Sequence, residues 1–222
     1  MRTEIKMCGM QREEDLLPLQ DLDVDYAGFI LVPGRKRTVN PETAKRLKDA
    51  LPAHVKSVGV MMNPEKQEAE WWQEQVSFDV LQFHGEETPG FCRWAKEELG
   101  VQVVKVMHMA PGAETPLRVD IVEAYATGVD AVLLDTVIGN TQGGTGKRFA
   151  WDRIPDLRAP WEERGIPVWT AGGIHPDNVA ELLRAAPAGI DVSSGIETEG
   201  RKDPEKMRRL VERVRHYDKQ AG

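Results

Sequence analysis

The sequence has few cysteines and no long apolar run. Cys8 and Cys92 are its only cysteines, too few for a disulfide framework and outside any Cys-x-x-Cys metal spacing, so both are expected to be reduced thiols. No apolar stretch approaches the roughly 20 residues that cross a bilayer. The first residues also lack the apolar core of a signal peptide. We therefore expect a cytoplasmic protein with no membrane partner.

The chain has no excess of positive charge. The 29 Lys and Arg residues are outnumbered by 36 Asp and Glu residues, for a formal net charge of −7. Because nucleic acids are bound by dense faces of Lys and Arg, no nucleic-acid partner is expected. No linker or low-complexity tract divides the chain, so we predict one domain over residues 1–222.

What the sequence does contain is a regular alternation of short apolar runs and longer amphipathic segments. Eight runs predict strands, at Ile5–Cys8, Tyr26–Leu31, Ser57–Met61, Val80–Phe83, Val103–Met107, Ala131–Asp135, Pro167–Thr170 and Ile190–Ser193. Helices are predicted at Glu13–Asp21, Pro41–Leu51, Pro64–Gln75, Pro89–Leu99, Pro116–Tyr125, Asp177–Ala185 and Asp203–Tyr217, with two short, broken pieces at Trp151–Leu157 and Pro160–Arg164. Strand-helix repetition with few hairpin signals favours a parallel sheet. Eight such units of this length favour a closed (β/α)8 TIM barrel over an open doubly wound sheet.

Residues with reactive side chains and glycine-rich turns fall at the predicted strand ends or in the loops that follow them, where this fold builds its active sites. They are Cys8, Arg37, His84, Asp135, Gly172-Gly173 and Ser193-Ser194-Gly195. The two glycine-rich ends follow strands seven and eight, the usual phosphate site of the fold, where backbone N–H groups and a helix N-terminus meet an anion. Tight turns alone would explain either run, but their combination favours a phosphorylated ligand.

A third glycine-rich run, Gly143–Gly146, is not a Walker loop. Such a loop would need Gly at position 141 and Ser or Thr at position 148, where the chain has Thr141 and Arg148. We interpret the run as a loop that folds over the ligand, with a plain surface linker as the alternative.

Cys8 and Asp135 are the candidate proton-transfer groups. Period-two alternation places Lys6 and Cys8 inside the barrel. A lone Cys is most often a buried hydrophobe, but a nearby cation would lower the pKa of Cys8 and favour its use as a base. Asp135 ends an apolar strand, so it must be solvated, paired or catalytic. The five histidines are scattered without ligand spacing, so no metal site is predicted.

At these residues the chain resembles the phosphoribosylanthranilate isomerase family, barrel enzymes of tryptophan biosynthesis. The resemblance rests on an ordered set of motifs: Lys6-Met7-Cys8-Gly9, Gly28-Phe29, Lys36-Arg37, Val58-Gly59-Val60, Leu81–Gly85, Leu133-Leu134-Asp135, Gly143–Gly146, Ala171-Gly172-Gly173, Asp191–Glu197 and Gly200–Asp203. It implies that Cys8 is the general base, that Asp135 is the general acid and that Arg37 contacts the anthranilate end of the substrate. It also implies a substrate-binding set of His84, Gly144, Gly172, Gly173, Asp191, Ser193, Ser194 and Gly195, with a structural role for His84 equally open.

The implied reaction is an Amadori rearrangement of N-(5-phosphoribosyl)anthranilate, a small phosphorylated substrate, and it needs neither a cofactor nor a metal. The chain departs from the family at Arg35, where Ser is usual, and at Ala150, where Asp is frequent. The alternatives are another phosphosugar barrel, such as an epimerase or the isomerase of histidine biosynthesis, and a non-catalytic phosphate-binding barrel. The sequence leaves a monomer and a homodimer open.

Overall fold

Eight parallel strands form a closed barrel in the order β1 to β8. The computed structural model describes residues 2–109, 119–136 and 151–221. The strands are β1 Glu4–Cys8, β2 Tyr26–Ile30, β3 Lys56–Met61, β4 Val80–Phe83, β5 Gln102–Met109, β6 Ala131–Thr136, β7 Val168–Ala171 and β8 Gly189–Val192. Strand β1 closes the barrel by pairing with β8, with Lys6 opposite Asp191. The predicted TIM barrel and its eight strands are confirmed, with boundaries that differ by at most two residues.

The helices surround the barrel. They are α1 Glu13–Leu16, α2 Pro41–Asp49, α3 Lys66–Val76, α4 Pro89–Glu98, α5 Val119–Tyr125, α6 Ile154–Glu162, α7 Val179–Leu183 and α8 Pro204–Ala221. Local sequence explains their starts: Asn40 caps α2 and Thr88 caps α4, each through a side-chain oxygen that accepts a backbone N–H, and each is followed by Pro. Within the described residues, no helix has the length and apolar character to cross a membrane.

Two predicted helices differ from the structure because of proline. The first shortens to α1, since Pro18 lies in a 3-10 turn, Leu17–Gln20, that follows it. The expectation of a broken segment after β6 is wrong, because α6 runs through Pro160. Its buried face, Ile154, Leu157 and Trp161, offsets the roughly 3 kcal/mol that an interior Pro costs.

A short hairpin after β8 was not predicted. Strands β9 (Glu197–Thr198) and β10 (Arg201–Lys202) pair antiparallel, and both turn residues, Glu199 and Gly200, have positive φ angles of 51° and 77°. The sequence of a hairpin turn of this type is usually Asn-Gly or Asp-Gly, and Glu-Gly is a weaker signal.

The core has two layers. Ile5 and Met7 of β1 belong to the outer layer, between the strands and the helices. The apolar residues of the inner layer, inside the barrel, are Cys8, Tyr26, Val58, Val60, Val80, Val104, Val106, Ala131, Leu133, Trp169 and Ala171. The predicted alternation along β1 is therefore confirmed, and it delivers Cys8 to the barrel interior.

Candidate active site

One pocket of about 230 Å³ lies at the carboxyl ends of the barrel strands. It brings together most of the residues predicted for the site: Cys8, His84, Asp135, Gly172, Gly173, Asp191, Ser193, Ser194 and Gly195. They come from β1, β4, β6, β7 and β8 or from the turns that follow these strands, and they meet because all strands of a parallel barrel end at the same rim. Gly144 and the rest of the Gly143–Gly146 run lie outside the described residues.

Lys6 is a buried cation beside Cys8. Its Nζ donates to Oδ2 of Asp191 over 2.9 Å, and its side chain has no exposed surface. Burial lowers the pKa of Lys6, but Asp191 and Cys8 raise it by more, so the ammonium stays charged. The other carboxylate oxygen of Asp191, Oδ1, is buried and has no hydrogen-bond partner among the described residues. It is thus an acceptor in the pocket wall.

Gly28 makes room for the side chains of Lys6 and Cys8. It faces Cys8 across the β1–β2 ladder. A Cβ atom at Gly28 would lie 2.8 Å from Sγ of Cys8 and 3.1 Å from Nζ of Lys6. Any larger residue would therefore displace the thiol or the ammonium.

The environment of Cys8 raises the pKa of its thiol. Burial is the largest cause, and Lys6 opposes it, as Lys202 does to a smaller extent. The prediction that a neighbouring cation would leave Cys8 with a lowered pKa is therefore wrong: the cation is present, but desolvation outweighs it. A sequence pattern reveals the nearby charge and not the depth at which the thiol is buried.

Asp135 lies beside His84 at the rim. Oδ2 of Asp135 is 3.4 Å from Nε2 of His84. Burial, and then the neighbouring His108, lower the pKa of His84 to about 4, so its ring is neutral at neutral pH. The contact therefore joins a carboxyl group to an uncharged imidazole. His84 lines the pocket, and its role in binding the substrate stays a prediction.

A third group joins this pair. His108 of β5 lies directly opposite Asp135 of β6 in the strand register, and one ligand atom from each of His84, His108 and Asp135 lies within 4.8 Å of the others. The absence of local ligand spacing had predicted no such cluster. Spacing along the chain cannot detect it, because its members come from three neighbouring strands.

The two turns after β7 and β8 form one wall of the pocket. Gly172 and Gly173 have φ angles of 95° and 65°, values that other residues rarely adopt. Gly195 packs so closely that a Cβ atom there would overlap the carbonyl oxygen of Ile174. After β8 the chain forms a single 3-10 turn, Ser194–Ile196, and α7 has only five residues. The turns therefore offer backbone N–H groups, and the helical element that begins beside them is the short 3-10 turn Ser194–Ile196.

Arg37 is held by a residue that the sequence interpretation missed. Its Nε and one terminal nitrogen donate to the two carboxylate oxygens of Glu197 over 2.6 and 2.7 Å, and it is not among the described residues that line the pocket. Lys202 donates to the same carboxylate over 2.9 Å. Both Glu197 and Lys202 occur in the motifs that carried the family resemblance, so the motifs were a signal for them, although neither was singled out.

Comparison with known proteins identifies the family. The family model for N-(5'phosphoribosyl)anthranilate (PRA) isomerase matches residues 5–213 of this chain. The chain belongs to the phosphoribosylanthranilate isomerase family. The N-(5'-phosphoribosyl)anthranilate isomerase of Brevibacillus brevis is 41% identical, over 99% of this chain and 97% of that protein. The enzyme of the same name from Geobacillus thermodenitrificans is 36% identical, over 96% of this chain and 94% of that protein.

Solved phosphoribosylanthranilate isomerases have the same fold. The enzyme from Thermotoga maritima superposes with a TM-score of 0.81 at 30% identity, over 96% of this chain and 99% of that one. Another structure, a phosphoribosyl anthranilate isomerase in complex with reduced 1-(o-carboxyphenylamino)-1-deoxyribulose 5-phosphate, gives a TM-score of 0.78 at 28% identity with the same coverage. The resemblance inferred from the motifs is thus confirmed across the whole barrel.

Proposed function

We propose that the chain converts N-(5-phosphoribosyl)anthranilate into 1-(2-carboxyphenylamino)-1-deoxyribulose 5-phosphate, with Asp135 as the general acid and Cys8 as the general base. The observation that carries this proposal is that Cys8 of β1 and Asp135 of β6 line one pocket in a member of the isomerase family. A non-catalytic binding barrel would have no need of both groups at the rim.

The reaction is a pair of proton transfers. Asp135 donates a proton to the furanose ring oxygen, the bond from that oxygen to C1 breaks, and the nitrogen lone pair forms a C1–N double bond. The thiolate of Cys8 then removes the proton from C2, and that electron pair moves to form an enolamine. Tautomerisation of the enolamine gives the ketone. Positioned acid-base groups of this kind typically contribute about 10²–10⁴-fold to a rate.

The Lys6–Asp191 pair supports the base and the substrate. The Lys6 ammonium favours the thiolate form of Cys8, because its charge and hydrogen bond act against the burial of the thiol. Oδ1 of Asp191 is a buried acceptor that faces no described donor, and we assign it to a ribose hydroxyl. A substrate hydroxyl there would satisfy an oxygen that is otherwise costly to bury.

The phosphate and the anthranilate carboxylate have separate sites in this proposal. Backbone N–H groups of the turns at Gly172-Gly173 and Ser193–Gly195 bind the phosphate. Arg37 is held rigidly by Glu197 and has guanidinium donors beyond the two that this pair uses. Those donors are assigned to the carboxylate. The relative crystallised with reduced 1-(o-carboxyphenylamino)-1-deoxyribulose 5-phosphate supports a ligand that carries both groups.

Turnover of the fluorescent substrate tests the proposal. The purified chain should consume N-(5-phosphoribosyl)anthranilate and yield the deoxyribulose product, identified by its mass and by the loss of fluorescence. Inorganic phosphate should compete with the substrate. Absence of conversion would reject the isomerase, and conversion of the histidine-pathway phosphosugar in its place would favour the related barrel enzyme.

A further inference from the structure

The rim of the barrel carries a cluster of three metal-ligating side chains. His84 follows β4, His108 lies in β5 and Asp135 lies in β6, so three neighbouring strands each present one group. One ligand atom from each lies within 4.8 Å of the other two. Nε2 of His84 and Oδ2 of Asp135 are 3.4 Å apart, about the separation of two ligands on one tetrahedral Zn²⁺ ion with bonds of roughly 2.0–2.1 Å.

The hydrogen bond of His108 suits metal binding, whereas Nδ1 of His84 is buried with no hydrogen-bond partner among the described residues. Nε2 of His108 lies 2.8 Å from the carbonyl oxygen of His84. A carbonyl only accepts, so Nε2 carries the proton and Nδ1 of His108 keeps the lone pair. Ligand histidines usually have such an anchor, since a backbone carbonyl on the far nitrogen fixes both the tautomer and the orientation of the ring.

We propose that His84, His108 and Asp135 form a binding site for a divalent transition-metal ion of the Zn²⁺ type, and that the bound ion inhibits the isomerase. Two imidazoles and one carboxylate, with a fourth position open, are a ligand set that Zn²⁺ accepts. Mg²⁺ prefers oxygen ligands and is disfavoured by the same set. The rings of His84 and His108 meet edge to face with centroids 5.0 Å apart. His108 is exposed, and a small shift of its ring, with its hydrogen bond to the carbonyl oxygen of His84 retained, would bring the three ligand atoms, now within 4.8 Å of one another, onto one ion.

Inhibition follows from the use of Asp135. A carboxylate bound to the ion cannot carry the proton that the substrate needs, so the ion and the substrate compete. This effect on turnover rests on the proposed role of Asp135, whereas binding of the metal does not.

Calorimetric titration with Zn²⁺ measures binding of the metal separately from its effect on turnover. The chelator-treated wild type should bind one Zn²⁺, and its Co²⁺ adduct should give the intense visible spectrum of a four-coordinate site. His108→Gln should weaken Zn²⁺ binding about tenfold or more. His54→Gln changes an exposed histidine elsewhere and should bind as the wild type does. Cys8→Ala should retain the metal, because Cys8 is outside the cluster.

Steady-state kinetics test the inhibition. Zn²⁺ should inhibit the wild type competitively, Mg²⁺ should not, and His108→Gln should keep its basal turnover while needing at least about tenfold more Zn²⁺ for inhibition. Equal Zn²⁺ affinity in wild type and His108→Gln would overturn the proposed site. Loss of Zn²⁺ binding in Cys8→Ala would also overturn it, because that result would assign the metal to the thiolate. If the chain binds Zn²⁺ as described but has no isomerase activity before metal is added, the proposed function fails and the metal site stands.

Discussion

The ammonium of Lys202 donates to the backbone carbonyl oxygen of Cys8 over 2.6 Å. The same ammonium donates to the carbonyl oxygen of Ser193 over 3.1 Å and to Glu197 over 2.9 Å. With only 2% of its side chain exposed, Lys202 joins the end of the strand that carries the base, the turn assigned to phosphate and the carboxylate that holds Arg37. One residue of the unpredicted hairpin therefore fixes three parts of the site.

Lys202→Met should lower kcat/KM by about 10–100-fold, because hydrogen bonds from a charged group are worth roughly 1.5–3 kcal/mol. The loss should include kcat as well as KM, since the end of β1 would no longer be held in place. Arg201→Met, at the exposed neighbouring position, is the matched control and should behave as the wild type. Kinetics of the two variants would separate them, and equal activity would show that Lys202 has no positioning role.

Gly28→Ala should lower turnover without unfolding the protein. The added methyl group would meet Sγ of Cys8 at 2.8 Å and Nζ of Lys6 at 3.1 Å, so the thiol must move, and a small misplacement of a reacting group costs on the order of 10²-fold. Gly90→Ala adds the same methyl group on an exposed helical position, where the nearest atom is 3.9 Å away. Circular dichroism and turnover of both variants would test this. A Gly28→Ala enzyme with normal kcat would contradict the account.

Glu197 should contribute stability that depends on pH. Although burial raises the pKa of its carboxyl group, the bonds from Arg37 and Lys202 lower it by more, to about 2 from 4.5. A carboxyl whose pKa falls on folding stabilises the native state above its unfolded pKa and loses that contribution as the pH falls through the folded value. The free energy of unfolding of the wild type minus that of Glu197→Gln should therefore be greatest above pH 4.5 and decline towards pH 2. Urea titrations across this range, with Glu199→Gln as the control for a changed exposed carboxyl, would measure it. A difference that is independent of pH would refute the assignment.

Arg37→Ala should weaken a product analogue that bears the anthranilate carboxylate by about 1.5–3 kcal/mol, and it should barely affect an analogue without that group. Arg35→Ala is the control, because Arg35 is exposed and should contribute little in either case. Calorimetric titration of both analogues would decide between them. A carboxylate-dependent loss at Arg35 alone would show that the wrong arginine carries the contact.

The sequence predicts the parts of this molecule that depend on local pattern. Alternation along β1 is enough to orient Lys6 and Cys8 inward, and the order of strands and helices is enough to predict the barrel and the rim at which Asp135 and the glycine turns meet. The sequence pattern cannot predict the raised pKa of Cys8, because that pKa depends on how completely the folded chain removes water from the thiol. Relationships between distant elements were also missed. The register of three neighbouring strands is what brings His84, His108 and Asp135 together. The hairpin with the Glu-Gly turn is what places Lys202 beside the carbonyl oxygen of Cys8 at the end of β1.

The measurement that most directly tests the central claim is the turnover of Cys8→Ala and Asp135→Asn, with binding of the reduced product analogue measured on the same samples. We predict that each variant binds the analogue within about threefold of the wild type and loses at least about 10²-fold in kcat, since each lacks one proton-transfer group. Cys92→Ala, which removes the buried thiol of α4, should retain its turnover. Near-normal kcat in either Cys8→Ala or Asp135→Asn, with the analogue still bound, would contradict the assignment of base and acid.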